Sequence, residues 1–126
     1  VELLRVFSGE PKQQTAGVLN DAEVDRVVAF IESALDFDFD LSAMARVLDR
    51  DVFSFTRAFK AATGETPHRF VIGRRIDRAQ QMLRYGTEPL ADIAYACGFS
   101  SQAHMTSTFT KHAGISPGRY RKEVRS

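Results

Sequence analysis

At 126 residues, with 44% apolar and 26% charged side chains, the chain has the size and composition of one small globular domain or of two small lobes sharing a connection. No apolar run approaches the ~20 residues that span a bilayer, and no signal-peptide pattern opens the chain, so the expected compartment is the cytoplasm. One cysteine, Cys97, excludes an internal disulfide, and the net charge of +1 hides an asymmetry: residues 1–51 carry 5 Lys+Arg against 11 Asp+Glu, net −6, whereas residues 52–126 carry 12 against 5, net +7.

The elements, taken in order, begin with a stretch of low information. Residues 1–19 join an apolar VELLRVF to a linker-like SGEPKQQTAG and start at Val rather than Met, and they read as a linker or the tail of an upstream domain missing from this sequence. Asn20 and Glu23 then form a capping box, and Val24, Val27, Val28, Ile31 and Leu35 follow at helical spacing, which predicts a helix over 21–36. The acidic DFDFD, Asp36 to Asp40, ends it. Asp40 caps a short helix from Leu41 to Leu48, with Leu41, Met44, Ala45 and Leu48 inward, and Asp51 caps a third from Val52 to Ala62, with Phe55, Ala58, Phe59 and Ala62 inward. Gly64 stops that helix, since a left-handed residue costs glycine little. Pro67 opens a long helix to Tyr85, with Ile72, Ile76, Ala79 and Leu83 in one stripe. Pro89 to Ala96 is short, with Leu90, Ile93 and Ala94 inward, and Gly98 makes the turn. Ser101 to Ala113 buries Met105, Thr108 and Phe109, Gly114 ends it, and Pro117 begins a last helix through Tyr120.

This order repeats. GETPHRF (Gly64 to Phe70) and GISPGRY (Gly114 to Tyr120) share Gly-x-x-Pro-x-Arg-aromatic at an offset of fifty, and Thr56, Phe59 and Gly64 lie over Thr106, Phe109 and Gly114 at the same offset. Short helix, turn and longer helix, twice over and joined by a spacer helix, make an all-α fold of about seven helices: a first helix-turn-helix lobe over 20–66, a linker helix over 67–85 and a second lobe over 86–126. The basic half carries both copies of the repeat, which points to a polyanion as partner. In a helix-turn-helix the second helix places its N-terminal residues on base edges in the major groove, and the spacer, at ~1.5 Å per residue, spans roughly 27 Å, near the ~34 Å between successive groove visits.

Opposite the apolar stripe of the helix over 52–62 stand Phe53, Ser54, Thr56, Arg57 and Lys60. Arg57 suits guanine O6 and N7, and Phe53 suits a thymine methyl. On the helix over 101–113 the outward set is Gln102, Ala103, His104, Thr106 and Ser107, with Lys111 a turn on. Gln102 suits adenine, while Ala103 and Thr106 offer methyl contacts. Phosphate candidates are Ser54, Lys60, Arg69, Arg74, Arg75, Ser101, Lys111, Arg119 and Arg121, with Lys122 beside them. The competing reading is a helical protein-interaction module that docks RNA polymerase or a partner regulator.

The motifs FTRAFKAATGETPHRF, IDRAQQML and DIAYACGFSSQAHMTSTFTKHAGISPGRYR resemble the DNA-binding domain of AraC/XylS-type bacterial transcription regulators, over about residues 17–123. That resemblance implies two helix-turn-helix lobes on successive major grooves of promoter or operator DNA, no cofactor, no enzymatic activity, and any effector bound by an N-terminal domain. It places base contacts on Phe53, Thr56 and Arg57 and on Gln102, Ala103, His104, Thr106 and Ser107. Two departures stand out. The first turn reads Asp49-Arg50-Asp51 where the family has Gly-hydrophobic-Ser, so an aspartate must take the left-handed turn position. Ser107 stands where the family commonly has Arg.

Other chemistry finds little support. Asp36, Asp38 and Asp40 imitate the opening of a calcium loop, yet Leu41 and Val47 occupy its sixth and twelfth positions. His68, His104 and His112 form no metal-ligand pair on one helix face. Cys97 could be a nucleophile or a methyl acceptor, but its place in the turn before Gly98-Phe99 favours a buried packing thiol.

Overall fold

The computed structural model of the protein describes residues 17–126. The linker reading of the first sixteen residues lies outside the described residues; Leu19, at the end of that expected tail, is buried and donates its N–H to the Ala58 carbonyl at 3.4 Å.

Among the described residues there are seven helices and no strand. Helix α1 (Asp21–Ser33) begins at a reciprocal capping box: the Glu23 N–H donates to Asn20 Oδ1 at 2.8 Å and the Asn20 N–H to Glu23 Oε1 at 3.0 Å. It ends three residues before the expected Asp36. Its last turn holds no basic residue, and the carboxylates of Asp36, Asp38 and Asp40 would lie against the negative end of a longer helix. Ala34 to Asp36 is a turn instead, closed by the Phe37 N–H on the Ala34 carbonyl.

Helices α2 (Leu41–Val47) and α3 (Val52–Thr63) are capped by Asp40 and Asp51, whose carboxylates accept the N–H of Ala43 at 2.9 Å and of Ser54 at 2.8 Å. Helices α4 (Pro67–Tyr85), α5 (Leu90–Ala96) and α6 (Gln102–Ala113) fall within a residue of their expected limits, with Pro89 and Ser101 outside as caps. Helix α7 (Pro117–Arg125) runs five residues beyond Tyr120. The extension has a use: Arg121 donates to the Leu83 carbonyl at 3.4 Å, and Arg125 donates to the carbonyls of Arg84 and Gly86. These cations satisfy carbonyls that the end of α4 leaves without partners.

The chain forms two compact units that interleave in sequence. Among the described residues, one comprises 17–31 together with Phe39–Arg69, and the other Glu32–Asp38 together with Phe70–Ser126. In the first unit Val27, Ile31, Met44, Ala45, Phe55, Ala58 and Phe59 are buried, and the Phe55 and Phe59 rings pack at 5.6 Å between centroids. The second has a core of Ile76, Ala79, Leu83, Ile93, Ala94, Cys97, Phe99, Met105 and Phe109. Its detached strand of chain, Glu32–Asp38, is fastened at three points: Leu35 is 1% exposed, Arg74 pairs with Glu32, and Arg75 donates to the Phe37 carbonyl at 3.2 Å. The inward stripes expected from sequence hold, with Val24, Val28, Leu41, Leu48, Ala62, Ile72, Leu90 and Thr108 half-buried at their margins.

The repeated heptads have one shared construction. Gly64 and Gly114 adopt left-handed φ of 84° and 85°, and their N–H groups close on Lys60 and Thr110 carbonyls. Thr66 and Ser116 then accept the backbone N–H of Arg69 and Arg119, and Pro67 and Pro117 are buried at the helix starts. The closing aromatics are half-buried, and Tyr120 meets Phe109 edge to face at 5.4 Å.

Candidate nucleic-acid interface

Each unit contains a short helix, a turn and a longer helix, and the two turns differ by one residue. In the first, Leu48 ends α2, Asp49 takes φ 55°, and Asp51 caps α3. In the second, Cys97 ends α5, Gly98 takes φ 84°, and the cap of α6 is Ser101, one position later. The backbone bonds keep the same pattern: Arg50 donates to the Ala45 carbonyl at 3.1 Å and Phe99 to Ala94 at 2.9 Å. The offset between copies is therefore 49 up to this point and 50 beyond it, and Ser100 is the extra residue.

On α3 the exposed face begins with Phe53, which at 70% exposed in the first turn is not a satellite of the core. The Arg57 guanidinium lies over the Phe53 ring, 5.2 Å from its centroid, and among the described residues Arg57 makes no ion pair. Thr56 is half-buried and donates its hydroxyl to the Val52 carbonyl at 2.8 Å, which leaves its methyl and an acceptor lone pair for a ligand. Ser54 is half-buried, and Lys60 is exposed a turn further on. Arg50, in the turn, pairs with Glu23 at 3.5 Å.

On α6, Gln102, Ala103, His104, Ser107 and Lys111 are exposed and Thr106 is half-buried. Ser101 accepts the His104 N–H at 3.0 Å, so its hydroxyl serves the helix cap. The extra residue Ser100 holds His104: its N–H donates to His104 Nδ1 at 3.3 Å and its hydroxyl lies 3.1 Å from the same nitrogen. An accepting Nδ1 leaves the proton of the neutral ring on Nε2, so His104 offers a donor to its surroundings. The Phe99 ring, edge to face at 5.4 Å, steadies the imidazole. Sequence reading had not singled out Ser100; counting residues between the left-handed turn position and the cap would have exposed it.

The phosphate candidates divide by what else they hold. Lys60, Arg69, Lys111 and Lys122 are exposed, and Arg119 is exposed while pairing with Glu123 at 3.0 Å one turn away. Arg74 is engaged by Glu32 and Asp77, and its guanidinium pKa is raised above the ordinary value, first by the bond to Glu32. Arg75 is half-buried on the Phe37 carbonyl, and burial lowers its pKa despite nearby Asp38. Arg121 is half-buried on Leu83. These last three hold partners within the second unit: Glu32 and Asp77, the Phe37 carbonyl and the Leu83 carbonyl, respectively.

Cys97 is buried, with Sγ 3.8 Å from Met82 Sδ, and burial pushes its thiol up to about 11 against weak opposing pulls from Arg78 and Arg75. A thiol held protonated is a packing group, not a nucleophile. Among the described residues no group of His, Cys, Asp and Glu is placed to hold a metal ion, and no helix is long and apolar enough to cross a membrane.

Two helix-turn-helix units, each with an exposed face opening at the N-terminus of its second helix, define a tandem helix-turn-helix protein. A family model described as a helix-turn-helix domain matches residues 44–123. The chain belongs to the AraC/XylS-type family of DNA-binding transcription regulators. It is similar to the probable transcriptional regulator LumQ of Photobacterium leiognathi, 33% identical over 96 residues, covering 76% of this chain and 39% of that protein. The transcriptional activator RhaS of Enterobacter sp. (strain 638) is 30% identical over 103 residues, 82% of this chain and 37% of that protein. The chain thus spans about two fifths of the length of the curated relatives it matches. Among solved structures, the DNA-binding domain of the transcriptional factor AdpA, in complex with a target DNA, superposes with a TM-score of 0.78 at 29% identity, over 84% of this chain and 95% of that one. An AraC-type regulator from Chromobacterium violaceum gives 0.75 at 26% identity, over 82% and 92%.

Proposed function

We propose that this chain is a sequence-specific double-stranded DNA-binding domain acting in transcription regulation, with α3 and α6 each entering a major groove of one promoter or operator duplex. The observation that carries the reading is the doubled construction: two capped helices whose first two turns present outward Phe53, Thr56 and Arg57 and, in the second, Gln102, Ala103, His104, Thr106 and Ser107. These side chains are the base-reading set. Lys60, Arg69, Lys111 and Arg119, the exposed cations, are the leading phosphate contacts; Ser54 can add its hydroxyl, since its N–H is held by Asp51, and Ser101 its backbone N–H at the helix start, while Arg74, Arg75 and Arg121 act by shaping the second unit. The reading assigns the domain no catalytic role. Any effector binds elsewhere in a longer protein, the domain works in the cytoplasm, and contact with RNA polymerase is a further role.

Selection of bound sites from random duplexes by the purified chain tests the proposal. Two short half-sites about one helical turn apart, with affinity falling steeply as salt rises, is the expected result. No enriched sequence and a flat salt response would instead favour the protein-interaction module.

A further inference from the structure

Phe53 and Arg57 stand one helical turn apart on α3, yet the guanidinium is folded back over the ring, 5.2 Å from its centroid. Helical side chains already lean toward the N-terminus, and the ring holds this one there. The fork of Arg57 therefore comes toward the level of Phe53 instead of ~6 Å further along the axis. Neighbouring bases on one strand rise by ~3.4 Å, so the ring and the fork meet adjacent base pairs. The edge of guanine in the major groove offers O6 and N7 to a guanidinium, and the C5 methyl of a pyrimidine lies on that same edge of the groove.

Resting on the DNA-binding reading above, we propose that Phe53 and Arg57 act as one recognition unit for a 5-methylpyrimidine next to a guanine in the half-site read by α3. The methyl packs on the exposed Phe53 ring while the preset fork takes the neighbouring guanine. Thymine and 5-methylcytosine both carry the group. The second unit supplies an internal contrast: at the offset of fifty, Ala103 and Ser107 stand where the first has Phe53 and Arg57, and neither ring nor fork is present. Methyl dependence coupled to guanine thus belongs to one half-site only.

The test begins from duplexes enriched by the 126-residue chain. The α3 half-site is the one whose selection changes in Phe53→Ala and Arg57→Ala variants, both at exposed positions. Replacing each thymine there by deoxyuridine removes only the methyl, and at one position should weaken binding about fourfold, the worth of one buried methyl-sized group. 7-Deazaguanine at the adjacent guanine should cost on the order of tenfold. Phe53→Ala should abolish the deoxyuridine effect, and Arg57→Ala the deazaguanine effect. With guanine opposite, 5-methylcytosine at the thymine position should bind better than cytosine, which separates the methyl from the rest of the base pair. Unchanged wild-type affinity on deoxyuridine duplexes, equal affinity for cytosine and 5-methylcytosine, or a methyl effect that survives Phe53→Ala overturns the paired unit while leaving DNA binding intact. Failure to enrich any sequence, with no salt-dependent binding, overturns both.

Discussion

Three side chains show how burial decides what a residue can do. Phe109 is fully buried against Tyr120, so Phe109→Ala should cost about 3–5 kcal/mol of stability. A chemical denaturation midpoint unmoved by that change would reverse the inside and outside of α6. Arg57 is exposed and lies over the Phe53 ring, so Arg57→Ala should leave the melt in place while lowering specific DNA affinity by about 1–3 kcal/mol; unaltered discrimination between related sites would remove it from the reading set. Cys97 is the case where burial acts on chemistry. With its thiol raised from 9.0 to about 11, the folded protein resists iodoacetamide at pH 8 and the urea-unfolded chain reacts fast. The same shift carries a sign. Below pH 9 the thiol is protonated in both states and contributes nothing; between pH 9 and 11 the unfolded chain ionises first, so native stability declines across that window. Equal labelling of folded and unfolded protein would show that the second unit opens readily around Cys97.

At the scale of elements, three left-handed glycines look alike in sequence and differ in their surroundings. Gly64 and Gly114 face open space, so alanine there should cost about 1–2 kcal/mol from conformation alone. At Gly98 an added Cβ would fall 1.9 Å from the Leu35 carbonyl oxygen, and Gly98→Ala should cost about 3 kcal/mol or more. Asp49, at φ 55°, is the aspartate that takes the turn, and Asp49→Gly should stabilise the first unit by up to about 1 kcal/mol. Thermal melts of these four variants rank the turns, and a Gly98→Ala protein as stable as Gly64→Ala would mean that Leu35 does not press on the turn. Caps, stripes and helix order were legible because they follow local rules: Asp51 before Val52, Gly64 after Thr63, Phe55 four before Phe59. What was not legible depends on partners distant in sequence. Nothing near Tyr120 announces that α7 continues to Arg125, because the carbonyls it serves belong to Arg84 and Gly86. That Arg75 and Arg121, both phosphate candidates, also hold backbone carbonyls is hidden for the same reason, since those partners, Phe37 and Leu83, are 38 residues away.

For the molecule as a whole, the excursion of Glu32–Asp38 into the second unit matters more than the boundary that sequence suggests at the spacer helix. Leu35→Ala should destabilise the second unit by about 2–5 kcal/mol although the residue lies between α1 and α2. Hydrogen exchange should then quicken in α5 and α6 before α2 and α3. Equal loss of protection everywhere would mean that the two units open as one. A protein is also made in one direction, from its first residue onward. By the time the ribosome has delivered Arg69, the chain of the first unit is complete, but Leu35 has no core to enter until α4 and α5 have followed. For that interval, seconds at ordinary elongation rates of ~5–20 residues per second, a nascent chain presents Leu35 to solvent, flanked by Asp36, Asp38 and Asp40 and beside Phe37, which stays exposed in the folded chain. Three carboxylates around the waiting Leu35 repel another such chain, and the acidic run that cuts α1 short should thereby also guard the newborn protein against its own copies.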